Sequence, residues 1–363
     1  MDSWVAADLI VEMSSDAQSS DVSGGDARLL RAAQAGDEGA FERLIAPYRG
    51  ELQAHAYRMV GSLHDAEDAM QEALLRAWRG IGSFERRSSL RSWLYTITTN
   101  ASLRLIERRP KRVLPIEYGP PADPHEPTGK PLVESVWVEP FPDDRLAFSE
   151  ATRSPEARYE QRESVELAFT AALQHLPGLQ RAALILTDVL GFSPGEVANT
   201  LDQSPASIYS ALQRARKSTE ERLPERSQRQ TRRALGDDEI KQMVDRFMEA
   251  WEDADVDRIR ALLTDDCALV MPPWAEWFDG REAVLDFLPR GPWARERRWK
   301  LVPTAANGQP ALAAYNSLEP GPLYAEGIIV LSFDRDGSIS EIASFRDPDL
   351  LPRFGLPEAI DSA

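Results

Sequence analysis

The chain has 363 residues, enough for two or three average domains, and its 42% hydrophobic and 28% charged residues describe a folded rather than a disordered protein. Its formal net charge is −17, and its one cysteine, Cys267, excludes an internal disulfide and any zinc site built from clustered cysteines. No apolar run reaches the roughly 18 residues of a membrane span, and the N-terminus lacks a basic segment followed by an apolar one, so a cytoplasmic protein without a membrane partner is expected.

Residues 1–25 are rich in Ser and Asp and are expected to be disordered. Helical periodicity begins at about residue 26 and runs to 112, marking an all-helical domain. In FERLIAPYRGELQAHAYRMV, Phe41, Leu44, Ile45, Tyr48 and Leu52 recur at three- and four-residue steps and make one apolar stripe. The next predicted helix, DAEDAMQEALLRAW, turns Ala66, Ala69, Met70, Ala73, Leu74, Ala77 and Trp78 inward, with Asp65 as its expected cap. After the loop IGSFERRSS, a long helix is predicted from Leu90 to Arg108, stopped by Pro110. Residues 79–112 carry nine bases and two acids, a basic island in an acidic chain.

Residues 113–154 read as an acidic, proline-rich linker, although WVEPFPDD at 137–144 is too apolar for a pure spacer and suits a docked segment. A second helical unit is predicted over 155–223. Its Ser193-Pro194-Gly195-Glu196 forms a capping box with proline at the first helical position, and Ser204-Pro205 opens a second helix after the turn Asp202-Gln203. Two helices joined by a tight turn, the second rich in arginine, make a helix-turn-helix. Residues 214–233 form a second basic island, eight bases against three acids. Two islands at separate places are the footprint of a protein that touches phosphates twice.

A basic linker is read over 224–236, and from 237 to 363 the pattern changes to helices followed by strands. Asn307-Gly308 and Asp336-Gly337 are hairpin signals, giving an α+β domain with an antiparallel sheet. No phosphate-binding glycine loop, nucleophile elbow or HExxH is present. The last domain contains no histidine, so Ser–His, Cys–His and His-ligated metal chemistry have no partner there, and no cofactor or metal is expected.

DAEDAMQEALLRAWRGIGSF with SSLRSWLYTITTNASLRLIERR resembles region 2 of extracytoplasmic-function sigma factors, and LQHLPGLQRAALILTDVLGFSPGEVANTLDQSPASIYSALQRAR resembles their region 4. AWEDADVDRIRALLTDDCALVMPP and WFDGREAV resemble SnoaL-like cone domains. The resemblance implies a chain that binds core RNA polymerase and promoter DNA. It implies that Arg86, Arg87, Ser88, Ser89, Thr96, Asn100 and Arg104 read the −10 element, with Arg108 to Arg112 on backbone phosphates and Trp93 packing rather than stacking on a base. Ser207, Tyr209, Ser210, Gln213, Arg214, Arg216 and Lys217 would serve the −35 element. Many relatives carry arginine or lysine where Tyr209 and Ala211 stand. The polymerase-binding face would be Asp65, Asp68, Gln71, Glu72 and Leu75.

For the cone domain, three roles stand open: a regulatory contact with the sigma domains or polymerase, sensing of a small ligand, and catalysis as a hydrolase or isomerase. Trp274, Trp277, Phe278 and Tyr324, together with Trp293 and Trp299, are its candidate pocket residues. Asp265, Asp266, Glu276 and Asp279 are its candidate acids.

Overall fold

The computed structural model describes residues 24–85, 88–132, 136–146, 165–224 and 226–361. The segment expected to be disordered lies, up to residue 23, outside them, as do Arg86 and Arg87.

Five helices build the first unit: α1 (Gly24–Gln34), α2 (Glu38–Ile45), α3 (Arg49–Val60), α4 (Leu63–Gly80) and α5 (Leu90–Arg108). The stripe that reads as one helix across residues 41–60 is split by a 3-10 turn at Ala46–Tyr48, where Pro47 has no N–H to continue the ladder. α3 stops at Gly61, whose φ of +71° suits glycine, and this puts Ser62 rather than Asp65 at the cap of α4. Ser62 Oγ accepts from the Asp65 amide at 3.1 Å, and the Asp65 carboxylate turns inward. α5 matches its predicted limits; Ser89 caps it, and the helix ends at Arg108, two residues before Pro110.

The second unit comprises the helices Leu167–Gln174, Gly178–Leu184, Pro194–Thr200 and Pro205–Glu220. Its predicted caps are present: Ser193 with Glu196 as a capping box, and Ser204 accepting from the Ser207 amide. Asp202 takes the left-handed φ of +52° in the turn between the last two helices. Both units share a single apolar core, which runs from Leu30 and Tyr57 through Tyr95 to Phe192, Ile208 and Leu212.

A helix at Gln228–Leu235 lies within the stretch read as a basic linker and leads into the helix Asp237–Glu252 of the last domain. The sheet there contains β1 (Leu263–Val270), β2 (Trp277–Asp279), β3 (Arg298–Ala306), β4 (Gln309–Ser317), β5 (Leu323–Phe333), β6 (Ile339–Phe345) and β7 (Ala359–Ile360). The order is β2-β1-β6-β5-β4-β3, with β7 on β5. The sheet is mixed rather than antiparallel, because β1 runs parallel to β6. The meander β3 to β6 closes back beside β1 after a helical connection, and that return fixes the direction of the pair.

One face of this sheet packs on the domain's own helices, with Ile329, Leu331 and Ile342 meeting Phe247, Trp251 and Val284. The opposite face is also buried. Val270, Ala313, Val330 and Ala343 pack there against Leu114 and Val138 of the connecting segment and Leu167 and Ala171 of the second unit.

Candidate nucleic-acid and polymerase interfaces

The helix Pro205–Glu220 buries Ile208, Ala211, Leu212 and Ala215, a spacing that leaves the opposite face to solvent. Tyr209, Ser210, Gln213, Arg214, Arg216 and Lys217 are exposed there, and Ser207 is half-buried. Tyr209, Gln213, Arg216 and Lys217 border one open cleft of about 340 Å3. Arg216 is not idle: its guanidinium holds both oxygens of Asp188, at 2.9 and 2.7 Å. Ala211 is fully buried between the helices, whereas Tyr209 is 61% exposed.

Ser88 and Ser89, just before α5, and Arg104 on it are exposed, while Thr96 and Asn100 are half-buried. The Ser89 hydroxyl accepts from the Ser92 amide at 3.0 Å, so it is engaged as a helix cap. Trp93 packs on Phe84, ring centroids 5.0 Å apart. The second unit covers part of this helix: Thr96 Oγ1 is 3.3 Å from Thr200 Oγ1, Tyr95 meets Phe192 edge-on at 5.4 Å, and Arg91 lies over both rings.

The outward face of α4 carries Gln71, Glu72 and Leu75 in solvent and Asp68 partly so. Leu75 is 50% exposed, the sole large apolar side chain on that face. Asp65 does not belong to it. At 1% exposure it forms a buried ion pair with Arg112 and sits 3.3 Å from Arg109. In the first turn of α4 it lies against the chain leaving α5, while Asp68, one turn on and sharing Arg109 with it, stays partly exposed.

The connecting segment 136–146 is fully used. Trp137 Nε1 donates to Pro273 O at 3.1 Å, and Val138 is buried on the sheet. Glu139 accepts from Ser62 Oγ and the Leu63 and His64 amides, neutralising the N-terminus of α4. Phe141 packs on Tyr57 at 4.7 Å. The β3–β4 turn then enters the joint between all three parts. Asn307, 0% exposed with φ +57°, accepts from the Phe141 amide at 2.8 Å and donates to Tyr57 Oη at 2.8 Å and Val165 O at 2.6 Å. The sequence marked Asn307-Gly308 as a turn; nothing in a turn signal says that its tip is buried.

The four aromatics proposed as a pocket do not meet in one. Trp277 donates to Gly119 O and Trp274 to Gly129 O, so both clasp the connecting segment. Phe278 stacks on Phe287 in the core, and Tyr324 is 60% exposed. Trp277 and Phe278 are successive residues of β2 and so point to opposite faces, Trp274 precedes that strand, and Tyr324 stands on β5. The interior between Trp251, Trp299, Met271 and Phe287 has a free volume of about 20 Å3, room for about one water molecule. Asp265 pairs with Arg281, and Glu276 accepts from the Gly129 amide. Among the described residues, no helix is long and apolar enough to cross a membrane.

Comparison with known proteins agrees with this arrangement. Residues 44–112 match Sigma-70 region 2, 166–218 match Sigma-70 region 4, and 244–342 match the SnoaL-like domain. The chain is 39% identical over 329 residues to the ECF RNA polymerase sigma factor SigG of Mycobacterium tuberculosis, which covers 89% of this chain and 85% of that one. It is 33% identical over 191 residues to SigM of the same organism, 53% of this chain and 81% of the relative. The crystal structure of the M. tuberculosis extracytoplasmic function sigma factor SigJ shares the fold, with a TM-score of 0.51 at 22% identity over 85% of this chain and 97% of that one. The two helical units, in their order and with the helix-turn-helix intact, together with this identity over most of the length, make the chain a member of the extracytoplasmic-function RNA polymerase sigma factors, with a SnoaL-like C-terminal domain.

Proposed function

We propose that this sigma factor carries core RNA polymerase to promoters through three separate surfaces, and that its C-terminal domain is a regulatory clasp rather than a catalyst. The outward face of α4 docks polymerase, α5 with its preceding loop reads the −10 element, and the helix Pro205–Glu220 enters the major groove at the −35 element. Arg86 and Arg87 belong to this reading by sequence alone, since they lie outside the described residues. Its place of work is then the cytoplasm, where polymerase and promoter DNA are.

The two promoter elements are centred about 25 base pairs apart, about 85 Å of duplex at 3.4 Å per pair. In the structure the two reading units touch, Thr96 against Thr200 at 3.3 Å. The arrangement is therefore a closed one, and the units must separate before both elements can be held. What supports a clasp is the burial of Asn307, which bonds Tyr57 of the first unit, Phe141 of the connecting segment and Val165 at the edge of the second. A filled interior of about 20 Å3 speaks for the same role, because a substrate has no room there.

The test is run-off transcription with core polymerase and the Asn307→Gly variant. Glycine keeps the left-handed turn and removes the three side-chain hydrogen bonds. More transcript than the unaltered chain gives is the expected result, and transcript equal to it would sink the clasp. No transcript from either chain on a promoter library would sink the promoter reading itself.

A further inference from the structure

Between the end of α5 and the turn Gln174–Arg181 lies a cleft of about 420 Å3, lined in part by residues 109–112, which the resemblance places on backbone phosphates. Its lining carries Arg109, Lys111, Arg112 and Arg181 against one acid, Asp65. That carboxylate is already shared between Arg112 and Arg109. Arg181 is 4% exposed; its two terminal nitrogens donate to Met59 O, Gln174 and Leu176 O, but its Nε has no partner among the described residues. Lys111 finds no carboxylate. Its Nζ donates to His175 Nδ1 at 2.7 Å, and the imidazole passes its other N–H to Glu117. Burial lowers the Lys111 ammonium below the usual lysine range, and the nearby Arg222 and Arg181 push the same way, against Glu117.

Arg109 also reaches Asp68 and Arg112 reaches Glu139, but among the described residues Lys111 and Arg181 touch no carboxylate, so the cleft keeps unneutralised positive charge and one open buried donor, the complement of an anion. The other wall is apolar, formed by Leu105, Ile106 and Pro177. The volume is that of a small-molecule site and far exceeds one phosphate group. We infer that this cleft binds a phosphorylated small molecule of nucleotide size, its phosphates toward Lys111, Arg109 and Arg181 and its ring against Leu105, Ile106 and Pro177. The walls come from two different units, so the complete site exists only in the closed chain. A ligand there holds the units together by mass action. The inference rests on the closed seam and not on which bases the helices read.

Calorimetric titration and thermal melting of the full chain with ATP, GTP and pyrophosphate, without divalent metal, test it. Lys111→Gln is the informative variant, since Lys111 is exposed enough to change without unfolding the chain. Lys241→Gln and Arg290→Gln, on the last domain, remove the same charge elsewhere. The inference expects a nucleotide to bind more tightly than pyrophosphate, to raise the melting temperature, and to lose affinity roughly tenfold or more in Lys111→Gln but not in the two controls. Pyrophosphate binding as tight as that of either nucleotide, an equal loss in the controls, or no binding by any probe would overturn it. Each result leaves run-off transcription free to judge the promoter reading separately.

Discussion

Asp65 and Arg112 are 1% and 3% exposed, and their ion pair joins the first turn of α4 to the chain that leaves α5. Two charges buried together roughly break even, but one left alone does not. Asp65→Ala is therefore expected to cost about 3–5 kcal/mol, read as a lower urea midpoint, far more than the loss of an exposed helix cap would. His55 gives the molecule its acid side. It is fully buried, 2.8 Å from Thr99 Oγ1, and burial holds its pKa down at about 3, with Arg58 and Arg91 adding to the effect. The unfolded imidazole takes its proton near pH 6.5. Between those values the unfolded chain binds a proton that the folded chain does not, so stability falls as pH drops from about 6.5 towards 3 and is unaffected by this group above that window. Urea midpoints measured from pH 7 to 4.5 should fall, and fall less steeply in His55→Gln; identical slopes would show that His55 is not the group responsible.

Helix ends marked by proline or a capping box were legible, whereas the Ser62 cap of α4 was passed over for Asp65. Pro110, Ser193 with Glu196, and Ser204 set their boundaries by local hydrogen bonding and missing donors, which depend on the nearest few residues alone. Elements whose partners lie far along the chain were less so: the break at Pro47 was hidden inside a continuous stripe, and the parallel pairing of β1 with β6 joins residues more than 70 positions apart. On α4 the outward face is the surface proposed to dock polymerase. Leu75 is half-exposed and contributes little to the core, so Leu75→Asp should leave the melting temperature within a degree or so yet weaken binding to core polymerase roughly tenfold. An unchanged polymerase affinity would remove this face from the interface.

At the scale of the whole molecule, the sheet of the last domain has two buried faces, and the second belongs to the connecting segment and the second helical unit. Cutting the domain away would bare Val138, Leu167 and Ala171, which makes a point change the cleaner probe. Asn307→Gly should enlarge the radius of gyration in small-angle scattering as well as raise transcript, because loosening the joint lets the units part. A gain in transcript with no expansion would mean that the domain acts on polymerase directly and not by holding the chain shut.

The two helical units, the helix-turn-helix with its exposed face, the α+β character of the last domain and the family were legible in the sequence, since all of these are written in caps, periods and local motifs. Only the tertiary structure decided where Asp65 turns, that WVEPFPDD ties three parts together, that Asn307 is buried, that Trp274 and Trp277 grip the connecting segment instead of lining a pocket, and that Arg181 meets Lys111 across a cleft. The physical reason is common to them all. A cap or a stripe is satisfied within a few residues, whereas a buried charge or amide is satisfied by whatever the fold brings to it, and the sequence does not list those neighbours.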